Sequence, residues 1–169
     1  MTTIRFKKET HVYEVEMYLK YDRYPKAPYL LEVVESFKAL GLGKCISERI
    51  LFNDSLNLAG TLDIIELLDK DKREVALLDL KTNGELYKKK GKMLAPFNHL
   101  DNNNINKYRL QLSLYAYLLE KQGYTVKYAE ILHVVGSEIK RIRIDLEDIS
   151  PIIEELKQNI KMVKKCQGL

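Results

Sequence analysis

Asp79, Lys81 and Asp63 draw attention because each falls where a charge is costly. Asp79 and Lys81 close the apolar run Val75-Ala76-Leu77-Leu78. In an extended strand residues two apart share a face, so the two charged side chains stand side by side while Leu80 points the other way, into the core. Asp63 lies in a second apolar stretch, Leu62 to Ile65, just after Gly60. A glycine inside a strand marks a bend or a close backbone approach. An unpartnered carboxylate in such surroundings is unfavourable. A metal ion shared by Asp63 and Asp79 would relieve that cost, and so would an ion pair with Lys81 or a nearby arginine. Gln111 and Tyr115, four apart in a helical stretch, share one helix face. Taken singly they read as surface polarity and a packed tyrosine. Asp-x-Lys on its own is a weak signal, arising by chance in roughly half of chains this long.

These side chains need a sheet beneath them and helices against it. From Tyr29 to Leu40 the residues Leu30, Val33, Val34 and Phe37 recur at helical spacing, and Gly41-Leu42-Gly43 ends that helix. Three extended segments follow: Cys45–Asn53, Leu56–Leu68 and, after the turn Asp69-Lys70-Asp71-Lys72, Glu74–Lys81. The continuous apolar centre of the third suits a central strand covered on both faces. A long loop from Thr82 to Asn106, with Asp101 to Asn104 as a polar tract, separates it from a helix over Lys107–Lys121. That helix carries Leu110, Leu114, Tyr117 and Leu118 on one face. Tyr128–Val135 and Lys140–Asp145 read as two more strands, the latter with Ile142 and Ile144 inward and Arg141 and Arg143 outward. Ser150-Pro151 opens a last helix with Ile153, Leu156, Ile160 and Val163 toward the core. Residues 1–28 are ambiguous. Thr2–Arg5 and Thr10–Met17 read as short strands, with Thr10–Glu14 at the surface. Alternatively Thr10 caps a helix running to Lys20. The order describes one α/β domain over residues 1–169, with a mixed sheet flanked by helices.

Composition sets the bounds. The length of 169 residues, 46% hydrophobic and 31% charged, suits a globular domain with one sizeable core. No apolar run approaches the eighteen or so residues of a membrane span, and the start MTTIRFKKETH lacks an apolar signal core. A cytoplasmic protein without a membrane partner is therefore expected. The net charge of +4 is compatible with a polyanionic partner. It is concentrated in Lys88, Lys89, Lys90 and Lys92 of the long loop and in Lys157, Lys161, Lys164 and Lys165 of the last helix. Cys45 and Cys166 are the only cysteines, which excludes zinc ribbons and four-cysteine iron–sulfur sites within a single chain.

Taken in order, Ala59-Gly60-Thr61-Leu62-Asp63, the strand ending in Asp79-Leu80-Lys81, and the Gln111-to-Tyr115 helix strongly resemble the RecB-like branch of the PD-(D/E)XK nucleases. The resemblance runs from Ser47 to Glu120. His99 to Asn103, Tyr108 to Leu112 and the upstream Ser47-Glu48 look further like members encoded by bacteriophages and large DNA viruses.

The resemblance implies a restriction-endonuclease-like core. It implies that Asp63 and Asp79 hold Mg²⁺ or Mn²⁺, with the Leu80 backbone carbonyl as a further ligand. All-oxygen ligation of this kind suits a hard cation that also binds phosphate. Lys81 would orient or deprotonate the attacking water and offset transition-state charge, while Gln111 and Tyr115 would steady it and contact the DNA backbone. Family members often carry a metal-binding His followed by a Glu in an early helix. The candidates here are His11 and Glu16, five apart where the viral pattern has four. Glu48 is a further candidate. The activity implied is a metal-dependent DNA exonuclease acting on single strands or DNA ends, with a replication or recombination protein as a potential partner. The alternative is a non-cutting module on the same fold that binds DNA or a partner. Lys88, Lys89, Lys90 and Lys92 are then expected to contact phosphates from a loop that is mobile without DNA, given Gly84 before the cluster and Gly91 within it.

Overall fold

The computed structural model describes residues 14–82 and 84–166 of the chain. Helix α1 covers residues 14–21 and helix α2 Pro28–Ala39, with proline in its first turn where no N–H is needed. Strand β1 (Lys44–Asn53) leads through a 3₁₀ turn, Asp54–Leu56, into β2 (Leu58–Asp69), and β3 (Glu74–Lys81) follows. Helix α3 (Asn104–Lys121), strands β4 (Thr125–Val135) and β5 (Glu138–Ile144) and helix α4 (Ser150–Cys166) complete the order.

The five strands form one sheet in the order β1-β2-β3-β4-β5. Every pair is antiparallel except β3 and β4, which are parallel. A parallel pair needs a crossover, and α3 supplies it. As its apolar centre predicts, β3 is buried on both faces. Leu77, Leu112, Leu118, Leu119 and Ile131 fill the space under α3, whereas Val15, Val33, Phe37, Leu78 and Leu132 fill the opposite face under α1 and α2. A smaller cluster of Leu56, Phe97, Leu100, Ile149 and Ile153 joins the long loop to α4.

Several boundaries differ from the expectation for local reasons. The helical reading holds over residues 14–21, so the strand expected through Met17 is not formed there, and Val15 is buried instead. Helix α3 starts at Asn104 rather than Lys107 because the Asn103 side chain accepts the Asn106 N–H at 3.0 Å. A tract read as loop thus supplies the N-cap. In α4, Ile153 is buried but Val163 is 54% exposed, so the helix runs on past the core it was expected to cover. The long loop is pinned rather than loose. Lys90 N–H donates to Asn102 O, Asn102 N–H to Gly91 O and Met93 N–H to Leu100 O, with Leu86, Phe97 and Leu100 buried beneath. Among the described residues no helix is long and apolar enough to cross a membrane.

Candidate active site

The site forms where β2 and β3 part. Their pairing stops at Ile64 and Leu78, while β3 stays paired with β4 as far as Lys81 and His133. The Leu80 N–H has no β2 carbonyl to meet, and it donates to Asp63 Oδ2 at 2.9 Å. Asp63 is in this way turned toward the end of β3.

Asp79 is 1% exposed. The Lys81 ammonium lies 2.6 Å from its Oδ2 and is the ion-pair partner of that buried oxygen. Burial, and then the charge of Asp63, push the Asp79 carboxyl up to about 7 against the pull of Lys81. Burial works against the Lys81 charge as well, but Asp79 and Asp63 outweigh it and hold the amine above the usual lysine value. Lys81 is therefore a cation at neutral pH. Glu16 of α1 is half-buried and is raised by burial and then by Asp63, which places it within the field of the same carboxylate.

Helix α3 closes the site from one side. The Tyr108 ring lies 4.8 Å from Lys81 Nζ, a cation–π contact that holds the ammonium. Gln111 Nε2 donates to the Tyr115 hydroxyl at 3.0 Å. Tyr115 in turn packs on Gly60, where an added Cβ would stand 2.5 Å from Cε1. The glycine of the Gly-x-x-Asp stretch is needed because the tyrosine ring occupies the space of its side chain.

Asp63, Asp79 and Lys81 are thus brought together, and Gln111 and Tyr115 lie on the helix facing them. The α3 residue that touches Lys81 is Tyr108, which the sequence reading gave no role. Its position three before Gln111, on the same helix face, was the available signal. Glu48 has φ +50 and falls opposite Asp63 where the β1–β2 ladder is interrupted between the pairs Ser47–Ile64 and Arg49–Leu62. Its carboxylate is ion-paired with Lys20 of α1. In the long loop Lys88 pairs with Glu85 at 3.0 Å, and Lys89 and Lys92 share Asp101 at 2.9 and 2.8 Å. Lys90 has no ion pair among the described residues. His11 lies outside the described residues. Among these residues no set of three or more His, Cys, Asp or Glu side chains is arranged around a metal position. The nucleus of the site is the Asp63–Asp79 pair.

A sequence profile of the PD-(D/E)XK nuclease superfamily matches residues 6–166. The chain belongs to this superfamily. No curated protein matches it significantly. Among solved structures it is similar to SSO0001, with 16% identity and a TM-score of 0.39 over 79% of this chain, of which it spans 58% of the other. It is also similar to a protein from Eubacterium rectale named as a candidate exonuclease, with 11% identity and a TM-score of 0.53 over 95% of this chain and 68% of that one. The second likeness bears on the fold. The mixed sheet flanked by helices is accordingly the α/β core of a PD-(D/E)XK protein.

Proposed function

We propose that this PD-(D/E)XK protein is a divalent-metal-dependent deoxyribonuclease of RecB-like type, an exonuclease acting on single strands or DNA ends. The observation that carries this reading is the buried Asp79 carboxyl, raised by burial and then by the charge of Asp63, with Lys81 beside it where β2 and β3 part. Asp63 and Asp79 repel each other, and the single charge of Lys81 offsets only part of that; carboxylate oxygens so placed fit Mg²⁺ or Mn²⁺. Asp63 and Asp79 would hold the ion, with the Leu80 carbonyl and Glu16 as further oxygens. When bound, it supplies Lewis acidity toward the scissile phosphate.

The protein's own groups do the rest. Lys81, kept protonated by its neighbours, donates to the attacking water and offsets charge on the phosphorane-like transition state. It is better suited to orienting that water than to taking its proton. The P–O bond to the water oxygen forms as the P–O bond to the leaving deoxyribose oxygen breaks; the water's proton passes to solvent, and solvent returns one to the leaving oxygen. Tyr108 holds the ammonium in place, and Gln111 and Tyr115 line the approach. Lys88, Lys89, Lys90 and Lys92 grip the DNA backbone, with phosphates replacing Asp101 as the partner of Lys89 and Lys92.

The test is direct. End-labelled linear single- and double-stranded DNA and closed circular DNA are incubated with the protein in Mg²⁺, Mn²⁺ or EDTA, with Asp79→Ala as control. Nucleotides should be released from linear substrates only, and only with metal. Cleavage of circles would make the protein an endonuclease. Retained DNA binding with no cleavage under any metal would make it a non-cutting module.

A further inference from the structure

Away from the catalytic strand ends, a cavity of about 340 Å³ opens on the same side of the sheet as α3. It is bordered by the β2–β3 turn, and Val75 in its wall is four residues, about 13 Å, from Asp79 along β3. Its floor is apolar, built from Ile65, Val75 and Leu119, with Tyr124 at one side. Three cations stand around it: Arg49 from β1, and Lys70 and Arg73 from the turn.

No carboxylate lines this cavity. Arg49 and Lys70 form no ion pair among the described residues. Arg73 lies 4.4 Å over the Tyr124 ring and donates to the Gln122 carbonyl at 3.0 Å, so its charge too lacks an anion. Surface cations ordinarily alternate with anions. Here three unmatched cations encircle an apolar hole, which calls for a ligand that is apolar at its centre and negative at its edges.

A nucleic acid is negative but fits poorly. A base carries donors and acceptors around its rim, and the only uncharged polar side chain in the lining is Tyr124. Buried there, a base would forfeit most of its hydrogen bonds. Moreover Leu77 is fully buried on this face between Val75 and Asp79, so a strand seated at the catalytic site does not pass through the cavity along β3. An aliphatic or aromatic side chain loses nothing on the apolar floor.

We propose that this cavity docks an acidic segment of a partner protein, inserting one bulky apolar side chain while flanking Asp or Glu residues pair with Arg49, Lys70 and Arg73. The site is independent of the catalytic reading. Its test uses the full chain and three fluorescein-labelled pentapeptides, Asp-Asp-X-Asp-Asp with X as Gly, Leu or Phe, read by fluorescence anisotropy. The Leu or Phe peptide should bind about tenfold or more tightly than the Gly peptide, since the four acidic residues are shared and only the apolar side chain differs. The double variant Arg49→Glu, Lys70→Glu should lose at least about tenfold in affinity for it while keeping the wild-type melting temperature. Arg73 is left intact because it also secures the end of α3. Equal binding of all three peptides, no saturable binding up to ~1 mM, or undiminished binding by the double variant would each overturn the proposal. Displacement of the peptide by a ten-residue oligothymidylate that itself binds less well to the double variant would instead assign the cavity to nucleic acid.

Discussion

Replacing Gly60 with alanine puts one methyl group where the Tyr115 ring already is. The new Cβ would stand 2.5 Å from Cε1, 3.1 Å from Oη and 3.2 Å from Cζ, whereas a relaxed carbon contact is ~3.5–4.0 Å. The ring must therefore retreat by about 1 Å. It has little room to do so, being 7% exposed in the cluster that includes Leu51, Leu62 and Leu112, in an interior packed like a crystal. Overpacking of this kind costs ~1–3 kcal/mol. The lower unfolded-state entropy of alanine offsets ~0.4–1 kcal/mol of that. At ~2–4 °C per kcal/mol for a domain of this size, the melting temperature should fall by several degrees, measurable by calorimetry. The Gln111–Tyr115 hydrogen bond moves with the ring, so DNA cleavage should fall too. A double-mutant cycle isolates the cause. In a Tyr115→Ala background the clash is gone, and Gly60→Ala should become neutral or slightly stabilising, a coupling of ~1–3 kcal/mol. A wild-type melting temperature for Gly60→Ala, or the same loss with and without the ring, would refute the argument.

Three further perturbations address the charges. The Asp79 carboxyl holds its proton more tightly folded (about 7) than its ordinary value of 3.8, so the folded state carries the extra proton between about pH 4 and 7 and metal-free stability declines as pH rises through that window. Above it the carboxylate is charged while still buried, so Asp79→Asn should melt higher than wild type at pH 8 without metal and close to it at pH 4. The opposite order would mean that Lys81 already satisfies the carboxylate. Lys81→Ala should slow cleavage by ~10²–10³ with DNA affinity largely kept, whereas Asp79→Ala should lose divalent-ion binding, followed by calorimetric titration, together with cleavage. If the pair is merely structural, both variants cleave normally and only melt lower. Replacing Lys88, Lys89, Lys90 and Lys92 with alanine should weaken DNA binding and flatten its salt dependence by ~0.9 in log–log slope for each phosphate that is no longer neutralised. An unchanged slope would leave the loop with a role in solubility alone.

Much of this arrangement could be read from the chain because it rests on local rules. The apolar run before Asp79 marked β3 as a central strand, and period-two alternation put Asp79 and Lys81 together. Gly60 signalled a close approach without saying what approached, since Tyr115 is 55 positions away in sequence. Tyr108 was overlooked for a similar reason: its contact with Lys81 depends on how α3 crosses the sheet. The stretch before Lys20 was legible as a strand or as a helix, because Val12, Val15 and the tyrosines favour strands; packing of Val15 against the sheet goes with the helix over residues 14–21. Glycines and lysines made the long loop look mobile, because a single sequence does not show that Leu86, Phe97 and Leu100 would anchor it. The apolar stripe of α4 likewise did not reveal where the core beneath it ends.

Asp63 has a consequence for how the site tolerates change. One of its oxygens stands in for a missing rung between β2 and β3, so the side chain cannot swivel without orphaning the Leu80 amide. The other oxygen is thereby aimed by the backbone, much as a bolt through a hinge fixes the angle of whatever is mounted on it. Reach then matters as much as charge: a glutamate, longer by one methylene, would keep the negative charge but overshoot either the amide or the place beside Asp79. The separation of the strands and the readiness of the carboxylate are one and the same degree of freedom. Anything that zips β2 back onto β3 would also take the site apart.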